Sequence, residues 1–318
     1  MTISVIVPIY NVSAYLRAGL ESLAHQVIKP TGTSLAAATD SMECEKWKIE
    51  VICVDDGSTD GCSQILEEYK GRHISFDTHT LSFTVLRRQN GGLSSARNAG
   101  LARASGEIVL FMDPDDVVEP YWIATLVKGM EGVDLAWGGF VEDEEGRLVK
   151  HIADDEGAEY FGEAVRKRIW RAVFGYRLRD LPWFFAKGGL WRHCRREFGS
   201  VCWRAFRRNV IGDLRFNEQL RLYEDAIFLS EYARRAKSMR VIGDTGYHYF
   251  IRKSGMMSVE SRERMTQHKF ELRDARRNVD PKMSAWRGTF VLSALQVLND
   301  TKSLRMMWRY VMGKQFRG

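Results

Sequence analysis

The sequence predicts an α/β protein: a mostly parallel sheet flanked by helices, with a helical extension at the C-terminus. Two features carry this prediction. Through the first 116 residues, short β-branched runs alternate with stretches of helical periodicity, as in strand–helix–strand units. Three of those runs end in polar or acidic residues, and the carboxyl ends of strands in such a sheet open onto one crevice. With 318 residues, 45% hydrophobic and 28% charged, the chain can bury one large core or two smaller ones.

Ser4 to Ile9 alternates and is β-branched, a strand that runs into a turn at Tyr10-Asn11. Ser13 to Gln26 is an amphipathic helix with Tyr15, Leu16, Leu20 and Leu23 on one face. Ile28 to Lys48 is rich in Thr, Ser, Ala and Gly, has weak periodicity, and is expected to be a long loop. Ile49 to Val54 is a second strand, ending in Asp55-Asp56-Gly57-Ser58-Thr59-Asp60 ahead of a helix from Cys62 to about Tyr69. Gly71 to Ser82 is expected to be a loose connection, and Phe83 to Leu86 a third strand. Asn90-Gly91-Gly92 turns into a helix over Ser94 to Arg103 that carries Arg97 and Asn98.

Gly106 to Asp116, GEIVLFMDPDD, is the centre of the pattern. The apolar run Ile108 to Met112 has the length of a buried strand. It ends in Asp113, Asp115 and Asp116, with Pro114 forcing a turn. Hard carboxylate oxygens at a strand end suit magnesium or manganese shared with a phosphate. The plainer alternative is a strand end followed by a helix over VVEPYWIATLV, with Asp115 or Asp116 as its N-cap.

Beyond the centre, Asp134 to Phe140 is a further strand and Glu142 to Arg147 an acidic hairpin with Gly146 at its turn. Tyr160 to Phe185 is helical, basic and aromatic. Glu224-Asp225 opens a helix with Ile227, Phe228, Tyr232 and Ala233 inward, and Val241 to Ile251 is a strand. From about Glu260 the pattern is helical, basic and amphipathic.

Composition narrows the function classes. No apolar run approaches the length of a bilayer span, and MTISVIVPIY lacks the charged n-region of a signal peptide. Five cysteines without a C-x-x-C pair argue for reduced thiols in a cytoplasmic setting and against zinc. Net charge is +6, with Arg and Lys concentrated over Arg166 to Arg208 and Arg262 to Arg317. Such clusters suit phosphorylated ligands, an anionic membrane surface or nucleic acid, and equally a solvated face.

The ordered set Pro8-x-Tyr10-Asn11, Val54-Asp55-Asp56-Gly57-Ser58-Thr59-Asp60, Asn90-x-Gly92 with Ala96-Arg97-Asn98-x-Gly100, Asp113-x-Asp115-Asp116 and Glu224-Asp225 resembles glycosyltransferase family 2. These are inverting enzymes of the GT-A fold that use nucleotide-sugar donors. The resemblance covers roughly residues 1 to 255. It implies a nucleotide-binding half over 1–116, an acceptor-binding half over 117–255, and a basic helical extension over 256–318 without a recognised motif.

The resemblance also implies roles. Asp56 accepts a hydrogen bond from the nucleotide base, in a pocket shaped by Pro8, Ile9 and Tyr10. Arg97 grips a carboxylate or the diphosphate. Asp113 and Asp115 hold the divalent metal, manganese or magnesium, with Asp115 the more direct ligand. Asp116 holds a sugar hydroxyl or caps the next helix. Asp225 is the general base. His248 and Arg252 come over the diphosphate. The expected donor is a nucleotide diphosphate sugar, UDP-linked. The expected acceptor is a glycan or lipid-linked hydroxyl in surface polysaccharide synthesis at the inner face of the membrane, touched by the basic C-terminal segment; nucleic acid is not an expected partner. Two other classes compete. A sugar-phosphate nucleotidyltransferase wants a Gly-rich, Arg-containing loop after the first strand, where this chain has Pro-Ile-Tyr-Asn. A non-catalytic basic binding protein has no use for Asp56, Asp113, Asp115 and Asp225 together.

Overall fold

In chain order the elements are β1 (Thr2–Ile9), α1 (Ser13–Ala24), β2 (Trp47–Asp55), α2 (Cys62–Tyr69), β3 (His73–Ser75), β4 (His79–Arg87), α3 (Leu93–Arg103), β5 (Ile108–Phe111), β6 (Val117–Val118) and α4 (Trp122–Gly129). They continue as β7 (Leu135–Glu144), β8 (Arg147–His151), β9 (Glu159–Phe161), α5 (Glu163–Phe174), β10 (Arg204–Arg207), α6 (Arg208–Ile211), α7 (Glu224–Arg235) and β11 (Ser238–Phe250). The structure is a computed structural model that describes residues 1–28, 46–174, 199–220 and 223–252. Residues 29–45 of the predicted 28–48 loop, the basic helical stretch after Phe174 and the C-terminal extension lie outside the described residues, while Trp47 and Lys48, placed in that loop by the sequence, open β2.

Among the described residues all eleven strands join one sheet, in the order β3-β4-β2-β1-β5-β10-β7-β11-β6, with β8 on β7 and β9 on β11. The predicted parallel block is present: β4, β2, β1 and β5 run parallel, with Val5 opposite both Val51 and Leu110. The sheet as a whole is mixed, because β10 inserts antiparallel between β5 and β7. Four residues from late in the chain thus weld the second half onto the first. β1 and β5 are buried almost end to end, as expected of strands covered by helices on both faces. Pro8 lies past Ile6, the last residue of β1 that pairs with β5, so its missing N–H falls where one side of the strand carries no ladder.

Three predicted elements need correction. Gly71 to Ser82 is not a loose connection but holds β3 and the start of β4, paired antiparallel. Its alternation of buried and half-exposed residues, as in HTLSF, is that of a strand near the sheet edge. The helix predicted from Val117 starts only at Trp122; Pro120 biases Glu119 toward extended backbone, and Val117–Val118 pairs with β11. Tyr160 lies in β9 rather than in a helix. The turn at Glu145-Gly146 has positive φ at both residues, 53° and 87°, the geometry that suits a two-residue hairpin.

Helix α3 packs on β1 through Gly100. A Cβ there would sit 2.4 Å from Ile6 Cγ2, and Ile6 is a fully buried, branched side chain with no room to turn. Gly100→Ala should therefore destabilise the fold by about 1–3 kcal/mol, read as a lower midpoint in chemical denaturation; an unchanged midpoint would refute this packing. On the same face of the sheet Phe111, paired with Ile6, meets Phe206, Phe216 and Phe228 edge-on. No described helix is long and apolar enough to cross a membrane.

Candidate active site

The carboxyl end of β2 builds one wall. Asp55 accepts from the backbone N–H of Ser58 at 2.9 Å and from the Ser63 hydroxyl at 3.2 Å, closing the turn at the head of α2. Gly57 is required in that turn: its φ is 78°, and a Cβ would lie 2.9 Å from the Asn90 nitrogen. Asn11, in left-handed conformation, ties the end of β1 to the same turn by accepting from Thr59 N–H. Asp56 is buried and turned the other way. Its two oxygens take the N–H groups of Gly91 and Gly92 at 2.7–3.1 Å and face Arg88 Nε at 3.0 Å. The Asn90-Gly91-Gly92 loop is thus folded around Asp56, with Tyr10 half exposed at the end of β1.

The end of β5 builds the floor. Neither Asp115 nor Asp116 caps a helix, since α4 begins six residues beyond Asp116. Asp116 is 1% exposed and accepts from the Tyr247 hydroxyl at 2.7 Å and from Phe250 N–H at 3.0 Å. With both oxygens engaged in the interior it braces β11 against the loop, and neither role implied for it is met. The Tyr247 hydroxyl also accepts from Asp113 N–H at 3.1 Å. Asp113 and Asp115 remain partly exposed at the rim. Arg252 lies 3.3 Å from Asp115 Oδ2 and stacks at 3.6 Å over the Tyr15 ring. Burial, then the charge of Asp113, push the Asp115 carboxyl above its ordinary range, against the opposing pull of Arg252.

The two rim carboxylates fit a divalent cation that takes its other ligands from elsewhere. One oxygen of Asp113 goes to Arg97 and one of Asp115 to Arg252, and among the described residues no group of three His, Cys, Asp or Glu side chains is placed to hold a metal ion by itself. Magnesium-type sites are commonly made of one or two carboxylates completed by substrate phosphates and water, and the excess negative charge that raises Asp115 is what such an ion would neutralise.

Between floor and wall lies Arg97, 1% exposed. One terminal nitrogen is 2.6 Å from Asp225 and 3.1 Å from Glu224; the other is 3.1 Å from Asp113. One guanidinium thus joins the end of β5 to the first turn of α7. Asp225 also accepts from Val201 N–H at 3.1 Å. Burial raises the Asp225 carboxyl, with Asp113 adding to the rise and Arg97 opposing it. Burial and then the charge of Asp225 push Glu224 up to about 7. Tyr223, immediately before the pair, is held in the left-handed region at φ 66°, a conformation that costs an ordinary residue roughly 1–2 kcal/mol.

The site therefore combines a carboxylate pair with raised proton affinity, a rim for a cation and a loop folded around a buried aspartate. The family model described as Glycosyl transferase family 2 matches residues 4–215. The chain belongs to glycosyltransferase family 2. Among curated members of family 2, it is 35% identical over 157 residues to glycosyltransferase GlyA of Streptococcus pneumoniae, covering 48% of this chain and 19% of that protein. It is 36% identical over 257 residues to the poly(ribitol-phosphate) beta-N-acetylglucosaminyltransferase TarS of Staphylococcus aureus, covering 80% of this chain and 36% of TarS. The chain therefore spans well under two thirds of either relative. The crystal structure of TarS residues 1–349 with UDP-GlcNAc superimposes with a TM-score of 0.55, 24% identity in space, and coverage of 88% of this chain and 68% of that one. The fold is the GT-A arrangement expected of family 2.

Against the family 2 expectations, the structure brings Asp113, Asp115, Arg97, Arg252 and Asp225 together, with Pro8, Tyr10 and Asp56 on the adjoining wall. It does not bring His248 there. The His248 ring meets Glu119 at 2.9 Å, and Tyr247, its neighbour on β11, is the one turned toward Asp113 and Asp116; successive strand residues face opposite sides. Of the two partners expected for Arg97, a carboxylate or the diphosphate, the structure shows the first, in the form of three carboxylates. Tyr15 is the aromatic seat of Arg252, not a core residue. Tyr247, Arg88 and Glu218 were not foreseen: each acts across more than a hundred residues of sequence or through a loop, which no local pattern reveals. Asn98 pairs both ways with the Phe216 backbone, at 2.8 and 2.9 Å.

Proposed function

We propose that this chain is an inverting glycosyltransferase that moves a sugar from a UDP-linked donor to a hydroxyl of a glycan or polyol-phosphate acceptor in surface polysaccharide synthesis. The observation that carries the proposal is the single buried guanidinium of Arg97 joining Asp113, at the cation rim, to Asp225 at the head of α7. A base and a leaving-group site must lie on opposite sides of the anomeric carbon for inversion, and this bridge fixes their separation. TarS supplies the first donor to test, UDP-GlcNAc, and the acceptor class, a polyol phosphate.

In this mechanism Asp225 takes the proton of the acceptor hydroxyl as that oxygen attacks the anomeric carbon. The bond to the nucleoside diphosphate breaks on the opposite face, and the sugar leaves with inverted configuration. Asp113 and Asp115 would hold the divalent metal, which supplies charge neutralisation for the departing diphosphate. Arg252, seated on Tyr15 beside Asp115, adds positive charge on the same side. The Asp56 wall, with Pro8 and Tyr10, receives the base.

Thermal-shift titration with UDP-GlcNAc, with and without manganese, tests the proposal by linkage. At about 100 times Kd a ligand adds roughly 2.7 kcal/mol of stability, so a clear metal-dependent rise in Tm is expected. Asp115→Ala should abolish the metal dependence and leave a smaller shift. No shift with any nucleoside diphosphate sugar in the presence of metal would overturn the proposal.

A further inference from the structure

A chain of contacts, polar as far as the Phe216 backbone, runs from the nucleotide wall to the helix that carries Asp225. Asp56 Oδ1 meets Arg88 Nε at 3.0 Å. Arg88 donates to the Ser95 carbonyl at 2.6 Å and to its hydroxyl at 2.8 Å. The Ser95 hydroxyl donates in turn to one oxygen of Glu218 at 2.9 Å, and Asn98 Nδ2 donates to the other, also at 2.9 Å. Asn98 clamps the Phe216 backbone in both directions. The Phe216 ring stacks face to face on Phe228 of α7 at 4.1 Å and lies beneath the Arg97 guanidinium at 5.3 Å. Each link is a short contact, and a hydroxyl that accepts from a cation while donating to an anion strengthens both bonds.

Glu218 itself is exposed, and its carboxyl is held below its ordinary range by Asn98 and Ser95. An exposed acid making two hydrogen bonds to one helix costs side-chain entropy and has no part in the hydrophobic core. Its evident effect is to hold the 213–220 segment against α3. The other end of the chain is what a nucleobase must disturb. Asp56 already accepts from Arg88, Gly91 and Gly92, so any base N–H that it receives shares its oxygens with them and competes with the Arg88 contact.

We propose that Ser95 and Glu218 are positioning residues that link occupancy of the nucleotide wall to the placement of Asp225, through Arg88 at one end and Phe216–Phe228 at the other. The inference rests on the donor reading given above and adds to it a coupling between donor binding and the base helix. Donor binding loosens or re-forms the Asp56–Arg88 contact. The change passes to the 213–220 segment, and α7 settles with Asp225 in register for the acceptor.

Amide hydrogen exchange on the full chain, with UDP and manganese as the probe, tests this coupling. In the wild type, UDP should protect residues 88–96 and also 213–220 and the first turn of α7. In Ser95→Ala, and independently in Glu218→Ala, protection should remain at 88–96 and be lost at the distant segments. Melting temperatures measured in parallel separate this from unfolding. Under turnover, Glu218→Ala should lower kcat by about 2- to 30-fold, the range of coupling carried by such networks, with donor KM within about 2-fold. Glu218→Gln, which keeps one of the two acceptor oxygens, should recover some of the loss. Distant protection that is missing in the wild type, or unchanged in both variants, overturns the coupling and leaves the donor reading intact. Absence of protection at 88–96 in the wild type overturns the donor reading and the coupling with it.

Discussion

Asp225→Asn should retain donor binding and lose transfer, with kcat down by about 10²- to 10⁴-fold, the usual contribution of a positioned general base. The amide is isosteric and keeps one acceptor oxygen, which can stay on Arg97, the 2.6 Å partner, at the cost of the 3.1 Å bond from Val201 N–H, so the head of α7 should keep its main tie. What it cannot do is take a proton. Thermal shift with UDP-GlcNAc and manganese should match the wild type while turnover collapses; near-normal turnover would show that another group is the base, with Glu224 the first to examine. The pH dependence of stability gives a second readout. Glu224 is pushed up from 4.5 to about 7 by burial and by the charge of Asp225. Between those values the folded protein keeps a proton that the unfolded chain has released, so this group's contribution to stability falls as pH rises from 4.5 toward 7. Asn at position 225 removes one of the two causes, and the loss of stability across that window should become shallower.

Legibility in the sequence followed the range of the interaction. The parallel block and its strand ends were readable because each strand is a local apolar run and each carboxylate sits within a residue or two of it, as at Asp56 and Asp113. Placement of Glu224-Asp225 at the start of a helix was readable from the 3.6-residue spacing of Ile227, Phe228 and Tyr232. The partners of these groups were not. Arg97 reaches across 128 residues to Asp225 and 16 to Asp113, and nothing in Ala-Arg-Asn distinguishes a guanidinium facing a ligand from one enclosed by carboxylates. His248 and Tyr247 illustrate the same limit at the scale of one residue. Both are polar strand residues, and only the register of β11 against β6 and β7 decides which faces the site. Antiparallel insertion of β10 was hidden for a different reason: four residues, RAFR, carry no directional information until their neighbours are known.

Arg97→Leu should be the most damaging single change, costing about 3–5 kcal/mol of stability as well as activity, the usual penalty for removing one partner of a buried ion pair. Three carboxylates converge on that guanidinium, and its removal leaves Asp113, Glu224 and Asp225 facing one another around an apolar side chain. Their mutual repulsion and burial then favour protonation. The sign follows directly: with the folded-state proton affinities of Glu224 and Asp225 raised further, the variant binds more protons folded than unfolded, so its deficit relative to wild type should shrink as pH falls and widen as pH rises. Urea denaturation at two pH values measures this. Arg97→Lys separates charge from shape. A lysine restores one positive charge but is a point donor on a flexible stem and cannot reproduce the planar fork that reaches both the β5 end and the head of α7. It should recover much of the stability and little of the turnover. Should Arg97→Lys recover both, a general positive charge would suffice, and the bridge from Asp113 to Asp225 would not be what sets the separation of cation rim and base.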